Sequence, residues 1–296
     1  MALTLAEGAK LSNDVLLEGV IETVINDSPV LQRMPFIEIV GNGLTYNREN
    51  AAATAAFYAV GDTWSESTPT FTQVTAALKI LGGDADIDNY LARTRSNVQD
   101  LEAAVVAMKA KAVQQQFDST FINGDVGADA DSFDGIDELC TVGQTVSMGT
   151  NGATVTLAKV DELIDTVRGG KPDMLLVSRR TRRTLSALAR ATGSGVVEQD
   201  RDEFGRMVQY YDGIPVGVND YIADDKEVGS SEDCSTIYAL QFGEGGLVGL
   251  SGPGGLQVER VGSLETKDAT RIRVKWYVSV ALFNTLKLAR LVGVRP

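Results

Sequence analysis

The fold of this chain is constrained most strongly by a long predicted helix that ends at the sequence FINGD, residues 121–125. Apolar residues recur on one stripe at spacings of three and four, and on a second, shifted stripe at spacings of four. The two stripes consist of Val98, Leu101, Val105, Met108 and Ala112, and of Val113, Phe117 and Phe121. The pattern predicts a helix over residues 97–123 whose apolar side packs on a core. Ser96 and Gln99 have the spacing of a capping box at its start.

Gly124 follows the helix and is expected to end it in the left-handed backbone conformation. The surrounding sequence is acidic and contains no basic residue; its carboxylates are Asp118, Asp125, Asp129, Asp131, Asp134, Asp137 and Glu138. A calcium-binding loop requires Gly at its sixth position and Glu at its twelfth. Counted from Asp129, these positions hold Asp134 and Cys140. We therefore predict a solvated turn, with weak cation binding as the alternative, and assign no metal site.

The composition is that of a soluble globular protein. The 296 residues are 44% hydrophobic and 23% charged, and they suffice for a sizeable core in two lobes. No apolar run reaches the roughly 18 residues that a membrane helix requires, and the N-terminus has neither a basic leader nor a cleavage signature. Histidine is absent, which excludes His-based triads, imidazole bases and the usual zinc sites. Cys140 and Cys234 lack metal-ligand spacing and are expected to be reduced, half-buried thiols.

The net charge of −13 argues against a dedicated nucleic-acid binder. Basic residues are concentrated in residues 256–296, which hold eight of them and three acidic ones. The dense basic cluster consists of Arg179, Arg180, Arg182, Arg183 and Arg190. On a helix, Arg179, Arg183 and Arg190 share one broad face, whereas Arg180 and Arg182 point elsewhere. A solvated helix with salt bridges is the favoured interpretation; an acidic partner such as another subunit is second, and nucleic acid is third because aromatic residues for base stacking are not interleaved.

A glycine-rich run at residues 243–255 is a candidate phosphate cradle. No Gly-Lys-Ser/Thr sequence follows it, and no predicted helix begins behind it. We therefore predict linked turns between strands. Asp and Glu are plentiful, so no carboxylate pair of the kind that hydrolyses glycosides stands out. We assign no catalytic residue and no cofactor.

The first third of the chain is predicted to be extended. Residues 1–43 form an arm, with a helix near residues 12–18 and a strand at residues 36–40. Residues 44–90 suggest a long hairpin whose tip, between Asn50 and Pro69, is poor in apolar residues. An isolated two-stranded ribbon is marginal in water. Either a neighbouring subunit supports the hairpin or it is a mobile surface flap.

Residues 155–220 alternate between predicted helix and strand. Helices are expected at residues 159–168 and from Ser178 to about residue 191, where Gly193, Ser194 and Gly195 end the second one. Pro215 in a strand at residues 213–216 favours a sheet edge or a strand start. The other predicted strands are residues 174–177, 236–242, 247–250, 271–283, which is the longest, and 289–294.

The order of these elements resembles that of the major capsid proteins of tailed bacteriophages, the family with the Hong Kong 97 fold. The sequences that carry the resemblance are FINGD, YDGIPV at residues 211–216 with Asn219 and Asp220, and the final strand. The resemblance implies an α+β, Hong Kong 97-like capsid fold. Its parts would be an N-terminal arm (1–43), an extended β-hairpin loop (44–90), a peripheral domain with the spine helix (91–155), an axial domain (about 156–255), and a return to the peripheral domain with a closing strand (256–296).

The resemblance also implies a structural protein rather than an enzyme, which self-assembles into pentamers and hexamers of an icosahedral head around double-stranded DNA. It would belong to the virion and be assembled in the host cytoplasm, with no membrane contact and no sequence-specific DNA contact. The founding member of the family joins subunits through a lysine on the extended loop, but here no Lys occurs between Lys10 and Lys79. We therefore expect noncovalent stabilisation. Because the chain begins with the arm itself, a separate scaffolding protein is an expected partner, together with a portal and a decoration protein.

Two alternatives remain open. An encapsulin would have the same fold but would enclose an enzyme as cargo instead of a genome. A carboxylate-based hydrolase would be a small monomer or dimer, so particle size separates it from either kind of shell.

Overall fold

A computed structural model describes residues 28–51, 53–95, 101–192, 197–201 and 207–296. The predicted helix near residues 12–18, the capping box of Ser96 and Gln99, and the helix stop at residues 193–195 lie outside these ranges. The helices are α1 Pro29–Arg33, α2 Asn89–Arg95, α3 Leu101–Asn123, α4 Ile136–Leu139, α5 Leu157–Thr166 and α6 Arg179–Thr192, with short 3-10 helices at Val142–Gln144 and Thr285–Lys287. The strands are β1 Phe36–Glu38, β2 Gly43–Ala51, β3 Thr70–Ala77, β4 Lys79–Asp88, β5 Thr145–Ser147, β6 Ala153–Thr154, β7 Met174–Val177, β8 Val197–Arg201, β9 Met207–Tyr211, β10 Ile214–Val218, β11 Lys226–Val228, β12 Ser231–Leu240, β13 Leu247–Ser251, β14 Gln257–Ser263, β15 Ala269–Leu282 and β16 Leu288–Arg295.

The larger sheet has nine strands in the order β5-β16-β12-β7-β10-β9-β8, with β6 beside β16 and β11 beside β12. Its centre consists of short apolar runs such as β7, in which all four residues are buried, as expected for a strand covered on both faces. Pro215 lies near the start of β10, as predicted. β10 is not an edge strand, however, because β7 and β9 flank it.

Alternate residues of β7 face two separate cores. Leu175 and Val177 pack with apolar residues of α5 and α6. Met174 and Leu176 pack on the opposite face with Phe121 at the end of α3. Because successive side chains of a strand point to opposite faces, α5 and α6 lie on one side of the nine-stranded sheet and the end of α3 lies on the other.

The smaller sheet has five strands and is built around β15, which confirms the predicted long strand. The whole length of β4 pairs with one edge of β15. β13 and β14 pair with the other edge, and β1 runs parallel to β13. The glycine-rich run at residues 243–255 forms turns on either side of β13, as predicted, and four of its glycines have positive φ.

The hairpin is shorter than predicted. β2 and β3 pair with each other, from Gly43 opposite Ala77 to Ala51 opposite Thr70, and form a separate two-stranded sheet. The prediction also placed residues 79–88 in this hairpin, but they form β4 of the five-stranded sheet. Burial explains the difference, because Ala85 and Ile87 pack with Ile272 of β15. β4 then leads into α2, a helix that the sequence pattern did not reveal and whose Tyr90 N–H is capped by Asp88 Oδ1 at 2.8 Å.

Helix α3 confirms the predicted long helix over its described part, but only one of its two stripes. Val113, Phe117 and Phe121 are buried, as predicted, and so is Val105. Met108 and Ala112, predicted to be core residues, are exposed. Each step of four residues rotates the buried face by about 40° around the helix. The face that enters the core at Phe117 and Phe121 is therefore turned away from Met108.

The left-handed ending predicted for Gly124 is wrong, since Gly124 is not among the glycines with positive φ. The close approach of the following loop accounts for the glycine instead. A Cβ at this position would lie 2.2 Å from the carbonyl oxygen of Phe133.

Strands β13 and β16 lie in different sheets. β13, predicted within the axial domain, belongs to the five-stranded sheet. β16, predicted to close the peripheral domain, belongs to the nine-stranded sheet and pairs with β12 and β5. Both are apolar runs whose local pattern does not identify the partner strand, so pairing at long range decided their placement. The domain boundaries stay predictions.

Candidate assembly surfaces

The hairpin is fixed to the body at its base by Tyr46 and Arg48. The Tyr46 hydroxyl donates to the carbonyl of Leu282 at 3.0 Å, and its ring lies edge-on against Phe283 with centroids 4.8 Å apart. The Arg48 guanidinium donates to the carbonyls of Leu282 and Phe283. Burial raises the pKa of Tyr46, although Arg48 partly opposes the shift. These contacts hold the hairpin at one angle to the end of β15.

The tip of the hairpin, residues 53–69, exposes aromatic and apolar side chains. Tyr58 and Trp64 stack with ring centroids 4.4 Å apart, and the Ala59 N–H donates to Asp62 Oδ2 at 2.6 Å. Trp64 is 77% exposed, and Phe57 and Val60 are completely exposed. A locally ordered apolar tip that none of the described residues of its own subunit covers is a candidate protein–protein contact. The sequence prediction of an apolar-poor tip missed this side-chain cluster.

The acidic loop after α3, residues 125–134, uses its carboxylates to hold its own backbone. Asp125 Oδ1 accepts from the Gly127 N–H at 2.7 Å, and Asp134 Oδ1 accepts from the Val126 N–H at 2.9 Å. Asp129 Oδ1 accepts from the Asp131 N–H at 3.0 Å. The predicted solvated turn is therefore confirmed for this part of the acidic sequence. Among the described residues, no group of three or more Asp, Glu or Cys side chains could hold a metal ion.

Two carboxylates of the same sequence do not lie on the solvated turn. Asp118 is buried within α3 and accepts a hydrogen bond from the Ser28 hydroxyl at 2.5 Å. Asp137 of α4 binds Lys226, the Tyr238 hydroxyl and Arg290, each at 2.8 Å. Burial favours the neutral form of Asp137, but Lys226, Tyr238 and Arg290 together lower its pKa. This cluster ties α4 to the nine-stranded sheet, and sequence reasoning missed it.

All five arginines of the cluster lie on α6, but some are exposed to solvent and one is partly buried. Arg179 forms a two-pronged ion pair with Asp220 and is exposed, as predicted for a solvated helix. Arg180 differs from the prediction, since its side chain is 18% exposed, lies near Asp224 and donates to the carbonyl of Asp233 at 2.8 Å. Its long apolar stem allows this partial burial while the guanidinium reaches polar partners. Arg182, Arg183 and Arg190 are exposed.

Sequence reasoning also missed an ion-pair ladder between β4 and β15. Arg271 binds Asp86 through Nε at 2.6 Å and Nη2 at 2.9 Å, and Lys267 Nζ adds a contact of 2.9 Å. Arg273 binds Asp84 in the same two-pronged way. The hydrogen bonds from Arg271 and Lys267 hold the pKa of Asp86 far below its usual range. The signal was present in the sequence, because DADID and RIRVK both alternate charge with a period of two.

Cys140 and Cys234 are free thiols, as predicted, but both are fully buried rather than half-buried. Burial raises the pKa of Cys140 to about 11. The Cys140 thiol is therefore protonated at neutral pH, which makes it a poor nucleophile. Within the ranges that the structure describes, no helix is both long and apolar enough to cross a membrane.

Comparison with known proteins places this architecture among shell-forming subunits. The phage capsid family matches residues 8–291 of the chain. No curated protein matches. Many solved structures share the fold, including the following three. The holo-SrpI encapsulin complex of Synechococcus elongatus PCC 7942 has a TM-score of 0.71 at 18% identity, with 100% of this chain and 97% of that chain covered. The capsid of cyanophage A-1(L) has a TM-score of 0.69 at 11% identity, with 94% of this chain and 95% of that chain covered. The capsid of the native GTA particle has a TM-score of 0.67 at 16% identity, with 93% of each chain covered.

The α+β architecture is therefore the Hong Kong 97 fold that these encapsulin and capsid structures share. Because the family match spans most of its length, the chain belongs to the phage capsid family. The predictions of a Hong Kong 97-type fold and of a structural major capsid protein are thereby confirmed. The encapsulin alternative is less well supported, since the family that matches the sequence is that of phage capsids.

Proposed function

We propose that this major capsid protein assembles into pentamers and hexamers that close an icosahedral phage head around double-stranded DNA. One observation carries the proposal: the ordered tip of the hairpin presents Phe57, Val60 and Trp64 to solvent. An isolated ribbon of two strands is only marginally stable in water, so its own stability does not offset the cost of exposing such a cluster. Burial of each large side chain stabilises a contact by about 1.5–3 kcal/mol. The neighbouring subunit of the shell is the surface that covers the tip.

The contacts between subunits are noncovalent. No lysine lies in residues 11–78, so the hairpin has no amine from which an isopeptide bond could form. Purified particles boiled in sodium dodecyl sulfate should therefore release single chains. A ladder of covalent multimers would contradict this part of the proposal.

The proposed partners beyond other copies of the chain are a separate scaffolding protein, a portal and a decoration protein. Assembly would take place in the host cytoplasm, and the DNA would be held without sequence-specific contacts. The chain's net charge of −13 supports this weak association, because like charges repel phosphate.

The test is the size and shape of the particles formed by the wild-type chain, expressed with and without the scaffolding protein. Sedimentation and negative-stain microscopy should show closed shells. The variant Phe57→Ala/Trp64→Ala should keep the unfolding temperature of the subunit and lose shells. The matched control, Phe57→Leu/Trp64→Phe, keeps apolar bulk and should assemble. A wild-type chain that stays a small monomer or dimer under every condition would reject the shell and restore the hydrolase alternative.

The encapsulin alternative keeps one specific support, the TM-score of 0.71 over 100% of this chain. The contents of the shell separate the two functions. Particles purified from phage-producing cells and treated with nuclease should retain double-stranded DNA with the ultraviolet absorbance ratio of a nucleoprotein. Particles that instead carry a co-purifying enzyme and no nucleic acid would favour the encapsulin.

A further inference from the structure

Helix α6 presents a basic stripe to solvent, formed by Arg182, Arg183 and Arg190. Around a helix with 3.6 residues per turn, Arg183 and Arg190 lie about 20° apart, and Arg182 lies at the edge of their face, about 80–100° away. All three are exposed, and none is paired with a carboxylate among the described side chains. Arg179, on the same side, is neutralised by Asp220. A chain with a net charge of −13 thus concentrates unneutralised positive charge on one surface helix.

The complementary surface is the tip of the acidic loop, residues 125–131. Asp125, Asp129 and Asp131 are exposed. The carboxylates of Asp125 and Asp129 accept hydrogen bonds from N–H groups of the loop itself. These bonds hold the loop in place but do not neutralise the negative charge of the carboxylates. Lys79 reaches this loop but donates to the carbonyl of Ala130 at 2.6 Å.

The two surfaces face away from each other within one chain. Leu185 of α6 packs with Leu175 and Val177 on one face of the nine-stranded sheet. Phe121 and Ile136, which lie on either side of the acidic loop in sequence, pack with Met174 and Leu176 on the opposite face. The basic stripe therefore cannot bind the acidic loop of its own chain. A head-to-tail contact joins two different surfaces of neighbouring copies, and it closes a ring when the rotation from one copy to the next closes.

We propose that the basic stripe of α6 docks on the acidic loop, residues 125–131, of a second copy of this chain. The proposal rests on the proposed shell function and names one contact within it. Each copy supplies one stripe and one loop, so a closed ring pairs all of them. Packaged DNA is the rival occupant. The second copy is favoured because its compact loop offers a matched number of carboxylates, whereas the stripe lacks interleaved aromatic residues for nucleic acid.

The test is a charge exchange between the two surfaces. Arg182→Glu/Arg183→Glu reverses the stripe. Ala128→Lys/Asp131→Lys changes the net charge of residues 125–131 from −3 to zero, at two exposed positions whose side chains form no hydrogen bond within the loop. Each double variant should raise the protein concentration needed for half-maximal ring or shell formation by at least about tenfold, because the stripe variant places like charges opposite each other and the loop variant removes the net attraction. The combined quadruple variant should restore assembly.

The control combines the reversed stripe with Asp225→Lys/Glu227→Lys, two exposed acidic residues outside the loop. This combination should not restore assembly. Arg182→Gln/Arg183→Gln, which removes charge without reversing it, should show an intermediate loss that fades as salt screens the attraction. Circular dichroism melts of each subunit report folding separately from assembly.

The outcomes separate this inference from the proposed function. A wild-type chain that forms neither rings nor shells would reject both. Wild-type shells together with normal assembly of the reversed stripe, or a quadruple variant no better than its parents, would reject the docking contact alone. Normal empty shells that no longer retain DNA would assign the stripe to nucleic acid and likewise overturn the contact.

Discussion

The amide of Gly135 donates a 2.8 Å hydrogen bond to the carbonyl of Gly124, so the two ends of the acidic loop meet backbone to backbone. The Gly124 amide in turn donates to the Thr120 carbonyl at 2.7 Å, which continues the helical pattern for one more residue. A Cβ on Gly135 would lie 2.7 Å from both the Gly124 nitrogen and the Thr120 oxygen. The two glycines allow the loop to close against the end of α3.

Replacing either glycine should destabilise the subunit. Gly124→Ala and Gly135→Ala each place a Cβ within 3 Å of backbone atoms, and forced overpacking of this kind costs about 1–3 kcal/mol. Urea titration of the free energy of unfolding measures the loss. The control is Gly143→Ala, where nothing lies within 4 Å of the new Cβ and φ is not in the left-handed region. Equal stability of all three variants would show that the loop yields without cost.

The buried pair of Ser28 and Asp118 predicts a stability that falls with rising pH. Burial raises the pKa of Asp118 to about 6, against the opposing hydrogen bond from Ser28. The folded state therefore binds more protons than the unfolded state between pH 4 and 6, and the contribution of this group is lost as pH rises through 6. With about 1.4 kcal/mol per pKa unit, the change is about 3 kcal/mol. Asp118→Asn should lack it.

The readout is the difference in unfolding free energy between Asp118→Asn and the wild-type subunit, measured from pH 4 to pH 7.5. A destabilisation caused by the amide itself is the same at every pH. Only the titration of Asp118 therefore makes the difference in unfolding free energy change with pH. Ser28→Ala removes a bond to the ionised carboxylate and should move the wild-type transition to higher pH. A pH-independent difference for Asp118→Asn would refute the assignment.

The ladder between β4 and β15 predicts a measurable coupling between Asp86 and Arg271. A double-mutant cycle of Asp86→Ala and Arg271→Ala should give a favourable coupling energy at pH 7, because Asp86 is 9% exposed and doubly bonded. Because the pKa of Asp86 is depressed in the folded state, the stabilisation from this ion pair is present above about pH 4 and is lost as pH falls further. The exposed pair of Glu259 and Lys275 serves as the control and should show a clearly smaller coupling, because solvent screens it. Equal coupling in both cycles would contradict the importance of burial.

The clamp at the base of the hairpin predicts a variant that folds but assembles poorly. Arg48→Ala removes the donors to the carbonyls of Leu282 and Phe283, and it should change the unfolding free energy by no more than about 1 kcal/mol. Shell formation should fall several-fold because the hairpin no longer keeps one angle. Thr75→Val is the control, since Thr75 bonds Thr45 within the hairpin itself. Hydrogen exchange over β2 and β3, with sedimentation, checks both; an Arg48→Ala protein that assembles normally would refute the role of the clamp.

Much of the fold was predictable from local pattern. The stripe of Phe117 and Phe121 identified the spine helix, and the run around Val278 identified the long strand, because each is a regular period of apolar residues. The exposure of Met108 and the membership of β4 were not predictable in this way. They depend on which sheet meets the helix and on Ile272, a residue distant in sequence that receives Ala85 and Ile87.

By itself, the sequence determined the order of helices and strands, the absence of histidine chemistry and the resemblance to phage capsid subunits. Each follows from residues close together in the chain or from composition. Only the tertiary structure decided which sheets β13 and β16 join, that Gly124 meets Gly135, and that Asp86 pairs with Arg271 across 185 residues. The physical reason is that strand pairing and charge neutralisation join distant segments, and a local pattern specifies the need for a partner without specifying the partner.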